Sequence, residues 1–573
     1  MRIFGDMTAN GEKNKEAGPQ RSGDGTRARA AIAGAAEERR SSSNGHDPNE
    51  FFATAVALHM QGKPEEALIY LEKARKSGEN LAEIYSAMAQ IYLERKQHSE
   101  AAKAYRDLLA VDPDNVAAEF NLALCYEALG SYPEACKAFR AVIHNSPELV
   151  DAHLGLAAAC TKMGDFAAAQ AAYEEYLKTN PNSFAARFGL GVSLHLAKQY
   201  ESAIAAYKKA LEMEPQSEEA LANLASVYSE TQDFKHALAC YDKLVKAKPD
   251  SWTAQEGLAY ASFRMELFEE AAEHYEAVVK LNPQSFESWY NLGVTRQKLG
   301  AAKEAAAAYR EAARLKPDAV EPHINLAIAL EELGEEADAM TEYQHALRLD
   351  PKAAAPLYNL ALIYEKKNKE IEAADCYQRL LQEKPDFLDA RFRLALLFHK
   401  RGDWARAAAQ YEQCLKEKPE WPEAWLNIGI VYLKSSRLPE AENAFTQCLK
   451  LTPEDPEAML GLAAVHLQQE NWEQARKLYQ RLIELKPNSP EILFNAALLE
   501  QKSKNLQEAI KLYSQAVSLK TEFAEAYLNL AIAQQASGHE ADASKAFEKA
   551  ILLKPELARG YFTLAHPGST AVQ

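Results

Sequence analysis

Apolar residues recur along the chain at the spacing of short amphipathic helices that come in pairs. In the stretch 286–317, Trp289 and Leu292 share one face of a first helix. Gly300 marks a break, where a tight-turn residue is needed. Tyr309 lies on the inner face of a second helix, and a proline ends it. The stretch is therefore predicted to form one helical hairpin with one apolar side.

The hairpin pattern returns throughout the chain. Pro113 begins a series of prolines 34 residues apart, broken only by Thr521. A second position holds alanine in every copy, from Ala67 to Ala543, and the position four residues later is aromatic in all copies but the first. A hairpin of this kind cannot bury its apolar side alone, so each copy needs neighbours of the same shape.

In the first helix of the hairpin, leucine is followed by alanine or glycine, as at Leu292 and Gly293. Together with the period, this W–L–G–Y…A–F…P pattern resembles the tetratricopeptide repeat family, over roughly residues 48–566. The resemblance implies an all-α fold: a right-handed superhelical solenoid of about fifteen 34-residue helix–turn–helix repeats. It also implies that the first helices line the concave side.

We predict three regions along the chain. Residues 1–47 are rich in Gly, Ser and charged residues, and are expected to be a disordered low-complexity tail. Residues 48–557 hold fifteen tandem repeats without an insertion, which leaves no room for a nested catalytic domain. Residues 558–573 are expected to form a terminal capping or truncated helix and a tail.

Composition narrows the function classes. The formal net charge of −17 argues against nucleic acid as the main ligand. The sequence contains no run of about 18 apolar residues, so no membrane span is predicted. The seven cysteines show no metal-ligand spacing and are expected to be reduced core residues, which favours the cytoplasm.

Catalytic signatures are missing from the sequence. It holds no phosphate-binding loop, no HExxH and no GxSxG. Gly189 and Gly191 imitate part of a dinucleotide fingerprint, but both occupy repeat positions. The fourteen histidines are scattered and are assigned surface or packing roles. We predict no enzyme activity, no cofactor and no metal.

Repeat positions can be numbered as slots, counted from the first residue of each copy. Copies begin at residues 48 and 82 and then every 34 residues to 524. Slot 6 recurrently holds asparagine: Asn121, Asn223, Asn291, Asn325, Asn359, Asn427, Asn495 and Asn529. Slot 5 is mostly aromatic or aliphatic: Phe120, Leu154, Phe188, Tyr290, Ile324, Tyr358, Phe392, Leu426, Phe494 and Leu528.

The slot-6 asparagines are predicted to bind a peptide backbone, because a side-chain amide offers both a donor and an acceptor. Their recurrence is not explained by helix propensity. The ladder is similar to the one that lines the repeat superhelix of O-linked N-acetylglucosamine transferases. The alternative is a structural role, with each asparagine bonded to a neighbouring helix. Apolar residues in slots 5 and 9 are either a binding stripe or partly buried between helices.

Charged residues refine the expected partner. Arg393 takes slot 6 in one copy and, with the nearby slot-13 lysines Lys366, Lys400 and Lys434, could form a positive site. Alternatively, Arg393 pairs with Asp389 one turn earlier. Slot 2 is mostly glutamate, which biases the face toward neutral or basic segments, although the same residues also suit a helix N-terminus.

The predicted function is a non-enzymatic scaffold that binds extended or helical segments of partner proteins in its groove. The alternative is the substrate-recognition module of a protein glycosyltransferase-type enzyme whose catalytic domain is absent from this chain. Partners are expected to be proteins or peptides, with no nucleic acid and no membrane. Whether two arrays self-associate through their convex faces stays open.

Overall fold

A computed structural model describes residues 50–560 of the chain. In this range it contains thirty α-helices and a final 3₁₀-helix, and no β-strand. The described residues divide into two compact units: unit 1 ends at Pro317, and unit 2 begins at Asp318. In both units the helices alternate between a first helix, with an odd number below, and a second helix, with an even number.

Unit 1 holds eight helix pairs in its described part. They are α1 Glu50–Met60, α2 Pro64–Ser77, α3 Leu81–Glu94, α4 His98–Val111, α5 Val116–Ala128, α6 Tyr132–Asn145, α7 Asp151–Met163, α8 Phe166–Thr179, α9 Phe184–Leu196, α10 Tyr200–Met213, α11 Glu218–Glu230, α12 Phe234–Ala247, α13 Trp252–Arg264, α14 Phe268–Leu281, α15 Phe286–Lys298 and α16 Ala302–Leu315.

Unit 2 holds seven helix pairs in its described part. They are α17 Val320–Glu332, α18 Glu336–Leu349, α19 Ala354–Lys366, α20 Glu370–Glu383, α21 Leu388–Lys400, α22 Trp404–Glu417, α23 Pro422–Lys434, α24 Leu438–Leu451, α25 Pro456–Gln468, α26 Trp472–Leu485, α27 Pro490–Lys502, α28 Leu506–Leu519, α29 Ala524–Ala536 and α30 Glu540–Leu553, followed by the 3₁₀-helix Pro555–Gly560.

Small and large residues interlock in the core of each hairpin. The slot-20 alanines Ala305 and Ala373 are both 0% exposed. Tyr309 in slot 24 is also fully buried, and a Cβ built on Gly293 would lie 2.6 Å from its ring. Side chains of this size therefore pack only where the facing position stays small.

The turn inside each hairpin passes through a left-handed residue at slot 15. Gly300 has φ 71°, as the sequence predicts for a glycine at a tight turn. Eight repeats adopt the same conformation with a side chain present, although L-residues disfavour it. These residues are Lys96, Lys198, Gln232, Glu266, Asn368, Ser436, Glu470 and Lys504, with φ between 55° and 65°.

Six first helices of unit 1 begin at a residue whose side chain caps the helix. The cap oxygen accepts a hydrogen bond from a backbone N–H in the first turn, which satisfies a donor that would otherwise lack an intrahelical partner. The capping residues are Asn80, Asn115, Ser183, Ser217, Ser251 and Ser285.

In unit 2, only the first helices α25 and α27 have such a cap, from Asp455 and Ser489. The other five begin at residues that make no side-chain cap hydrogen bond. They are Ala319, Ala353, Phe387, Trp421 and Phe523.

The predicted fold class, an all-α solenoid of helix pairs, is confirmed. The predicted tail 1–47 and most of the predicted terminal region 558–573 fall outside the described residues, and the right-handed superhelix stays a prediction. Among the helices of residues 50–560, none combines the length and the apolar content needed to cross a bilayer.

Candidate peptide-binding face

The predicted site residues lie on the first helices at the border between core and solvent. In α19, Leu360 and Ala361 are 3% and 0% exposed, whereas Tyr358 and Asn359 just before them are half-buried. All fourteen predicted site residues have this intermediate exposure. Slots 5 and 6 therefore form one half-buried row along the first helices of each unit, which we call the slot-5/6 face.

The slot-5 aromatic rings rest on the core with one side. Phe392 contacts Tyr411 of its own hairpin with ring centroids 5.5 Å apart, and Phe120 contacts Phe139 at 5.8 Å. Tyr411 and Phe139 are themselves fully buried. The prediction left open whether the apolar stripe is exposed or buried, and the structure places it between the two. Most slot-9 residues are half-buried as well, but Leu124 and Leu396 are exposed, at 37% each.

Sequence reasoning missed a second set of aromatic residues beside slot 5. In unit 2, slot 34 brings a ring against the slot-5 ring of the same repeat. Trp421 stacks on Phe392 with centroids 4.6 Å apart and planes 25° apart, and Phe523 lies 4.9 Å from Phe494. A third pair is Tyr358 with Phe387, at 5.1 Å. The recurrence of aromatic residues in slot 34 is the sequence signal that could have revealed this second set.

Three slot-6 asparagines bond to their own helix. The Nδ2 groups of Asn223, Asn427 and Asn529 each donate to the backbone carbonyl four residues earlier, at 2.8, 2.7 and 2.9 Å. That carbonyl is in the first turn of the helix, where it also accepts the backbone N–H four residues later. This bond therefore does not connect the asparagine to a neighbouring helix.

Asn359 behaves differently. Its Nδ2 donates to the hydroxyl oxygen of Tyr343 in the preceding repeat, at 2.9 Å, and that hydroxyl donates to Glu331. Burial, and then the bond to Glu331, raise the pKa of Tyr343, so its hydroxyl stays protonated and remains a donor. Asn359 is therefore hydrogen-bonded to a neighbouring helix, as the structural alternative to peptide binding predicts. Asn121, Asn291, Asn325 and Asn495 lie half-buried in the same slot.

Arg393 is paired with a different residue from the one expected. Its Nη1 lies 3.4 Å from Oε2 of Glu365 on α19, rather than pairing with Asp389 on its own helix. Glu365 also accepts a hydrogen bond from the Tyr377 hydroxyl. Arg393 therefore belongs to a polar network that joins α21 to α19.

Two of the three slot-13 lysines near Arg393 are also neutralised. Lys366 pairs with Glu336, and Lys400 Nζ lies 2.7 Å from Glu370 Oε1. Both glutamates are in slot 17 of the preceding repeat. Lys434 is exposed. The predicted positive site is therefore mostly balanced by acidic neighbours.

Part of the slot-2 acidity is balanced as well. Glu287, Glu491 and Glu525 each accept a hydrogen bond from the lysine 29 residues later, at 2.8, 2.8 and 3.0 Å. The Lys520 ammonium lowers the pKa of Glu491. These exposed pairs add little stability, but they weaken the bias of the face toward basic partners at three repeats.

Family models match most of the described chain. Models described as tetratricopeptide repeats match residues 86–160, 161–218, 194–259, 263–320 and 332–368. A model described as the cilia and flagella-associated protein 70 C-terminal domain matches residues 359–560. No curated protein sequence matches the chain.

Solved structures with a similar fold include YrrB, described as a TPR protein with an unusual peptide-binding site. It is 24% identical, with 33% of this chain and 96% of YrrB covered, and the TM-score is 0.31. MamA is 24% identical over 30% of this chain and 92% of MamA, with a TM-score of 0.29. The complex of Naa15/Naa10 bound to HypK-THB gives 15% identity, 92% and 98% coverage, and a TM-score of 0.33.

Proposed function

Because the chain belongs to the tetratricopeptide repeat family, we propose that it is a non-enzymatic scaffold that binds segments of partner proteins along the slot-5/6 face. The observation that carries the proposal is the half-buried aromatic row, above all Phe392 stacked on Trp421. Large aromatic side chains that keep one side open are the groups that most often dominate the energy of protein interfaces.

The aromatic rings of unit 2 are held in place for binding. Phe392 is supported from below by Tyr411, and Lys418 Nζ lies 4.8 Å from the centre of the Trp421 ring. Side chains held by their neighbours lose little conformational entropy when a ligand arrives. A bound segment would insert apolar side chains between successive aromatic pairs.

The back-bonded asparagines supply the polar part of this proposal. Asn223, Asn427 and Asn529 can give up their bond to the helix carbonyl and donate to a ligand carbonyl instead, since the helix carbonyl keeps its backbone donor. The exchange replaces one hydrogen bond by another and leaves Oδ1 to accept from a ligand N–H. Neutral segments with apolar side chains fit this chemistry best.

A peptide-display selection on the full chain tests the proposal. Peptides selected on the wild type are measured against a variant with Asn223→Ala, Asn427→Ala and Asn529→Ala. We expect affinity to fall about tenfold for peptides bound in either unit, from the loss of one or two hydrogen bonds. Helical content should be retained, because alanine is the better helix former.

The matched control carries Asn145→Ala and Asn443→Ala, at exposed asparagines of the second helices α6 and α24. It should bind the same peptides as the wild type does. Equal losses in the two variants, or no loss in the first, would place the binding surface elsewhere. A Trp421→Ala variant then separates the two parts of the face, because it removes aromatic area without touching an amide.

A further inference from the structure

Three potential metal ligands meet between the two helices of the first hairpin of unit 2. Nδ1 of His323 on α17 lies 2.7 Å from Oε2 of Glu342 on α18. Nδ1 of His345, one turn after Glu342, lies 3.1 Å from the same His323 nitrogen. The two imidazole rings are close to perpendicular, at 82°. One nitrogen or oxygen atom can be chosen from each of the three residues so that all three atoms lie within 4.8 Å of one another.

The same slots hold only a pair of residues elsewhere. His323 is in slot 4 and Glu342 in slot 23, and these slots face each other in other hairpins too. In one repeat Gln255 and His274 are hydrogen-bonded at 2.8 Å, and in another Arg391 and Gln410 at 3.0 Å. A polar pair at this place is thus an ordinary way to close the hairpin. His345 adds a third group, which such closure does not need.

Two of the three separations between these groups suit ligands of one small cation. Zinc binds imidazole nitrogen at about 2.0–2.1 Å in tetrahedral geometry, which puts two such nitrogens about 3.3 Å apart. The 3.1 Å between His345 Nδ1 and His323 Nδ1 is close to this value, and Glu342 Oε2 lies 2.7 Å from the same His323 nitrogen. Two imidazoles and one carboxylate are ligands typical of zinc and similar transition metals, whereas Mg²⁺ and Ca²⁺ prefer all-oxygen sites.

We propose that His323, Glu342 and His345 bind one divalent transition-metal ion of the Zn²⁺ class, with solvent as a fourth ligand. His323 is 7% exposed and so is fixed by the core, whereas Glu342 and His345 are half-buried and leave an approach from solvent. The ion would link α17 to α18 and stabilise this hairpin by mass action, since the unfolded chain holds no such site.

Calorimetric titration of the chelator-treated full chain with ZnCl₂ tests the site, with MgCl₂ as the comparison ion. The wild type is expected to bind zinc and not magnesium. His345→Ala should lower zinc affinity at this site by more than about 100-fold, because loss of a direct ligand exceeds the loss of a supporting partner. The matched control, His274→Ala, removes a histidine from the two-residue pair and should bind zinc as the wild type does.

The chain has fourteen histidines, so the difference in zinc affinity between variants, rather than zinc binding alone, is decisive. Equal zinc binding by the wild type and by His345→Ala overturns the proposal, and so does the absence of zinc binding by the wild type. Circular dichroism verifies that each variant is folded. If His345→Ala is misfolded, Glu342→Gln replaces it, because an amide of the same shape keeps a hydrogen bond to His323 but is a poor zinc ligand. That variant should also lose tight binding, and wild-type affinity there would refute the site.

Discussion

Units 1 and 2 share one repeat but begin their first helices in different ways. Unit 1 caps six of them with a serine or asparagine side chain, whereas unit 2 caps two of seven. Each cap is worth about 0.5–2 kcal/mol. The five uncapped first helices of unit 2 therefore lack several kcal/mol of stabilisation that capped helices of the same fold have in unit 1.

The residues at the uncapped positions of unit 2 explain part of this difference in helix capping. Phe387, Trp421 and Phe523 occupy the cap position, and each lies against a slot-5 ring of the preceding hairpin. Slot 34 can cap the helix that follows it, or its side chain can join the slot-5/6 face of its own repeat. In three repeats of unit 2 it serves the face, where its ring packs against the slot-5 ring.

The largest expected effect tests whether the cores of the two units are equivalent. Ala305→Leu in unit 1 and Ala373→Leu in unit 2 each force a larger side chain into a site with 0% exposure. Each should destabilise its unit by at least about 1–3 kcal/mol. Hydrogen exchange of peptides from each unit measures the two effects separately, as suits an array that need not unfold in one step. A clear difference between them would show that the units differ in more than their caps.

A cap exchange is expected to have an effect of about 1 kcal/mol. Ser217→Ala removes the oxygen that accepts from the Ala220 N–H at 3.3 Å, and should destabilise α11. Ala353→Ser supplies such an oxygen at the start of α19 and should stabilise it by a similar amount. Faster amide exchange in the first turn of α11 and slower exchange in α19 would be the signatures. If Ala353→Ser has no effect, the uncapped start of α19 is not a source of instability.

The smallest expected effect is that of Trp421→Ser. The change removes the stack on Phe392, worth about 0.5–1.5 kcal/mol beyond its area, and adds a cap of about the same value. Ser489 before Pro490 shows that this Ser–Pro start caps well, because its Oγ accepts from Ile492 N. The cap offsets part of the lost Trp421 packing, so the melting temperature should fall only slightly, while peptide binding falls. A strongly destabilised variant would mean that Trp421 is mainly a core residue.

The period predicted much of this fold because the determinants are local. Alanine in slot 20, the aromatic residue in slot 24 and the proline after the second helix act within one hairpin, and the helices lie where this pattern puts them. Spacing alone puts Tyr309 on the inner face of its helix, and it is fully buried, as is Ala305 in the alanine position that recurs in every copy.

The parts that sequence reasoning missed depend on contacts between repeats or across a hairpin. Spacing along one helix offers Asp389 as the partner of Arg393, but the observed partner, Glu365, is 28 residues away. His323 and Glu342 are 19 residues apart and meet only when the hairpin closes. A period shows which slots recur, but it does not show which slots face each other.

The left-handed turn at slot 15 is a place where substitutions could stabilise the array. Eight repeats hold a residue with a side chain at positive φ, where an L-residue costs about 1–2 kcal/mol relative to the right-handed region. The helices on either side impose this conformation whatever the residue, so glycine would fit every one of these turns. Lys96 to Lys504 lie in separate hairpins, and such distant changes add nearly independently. The chain could therefore gain stability in several small steps without changing the face through which we propose it binds.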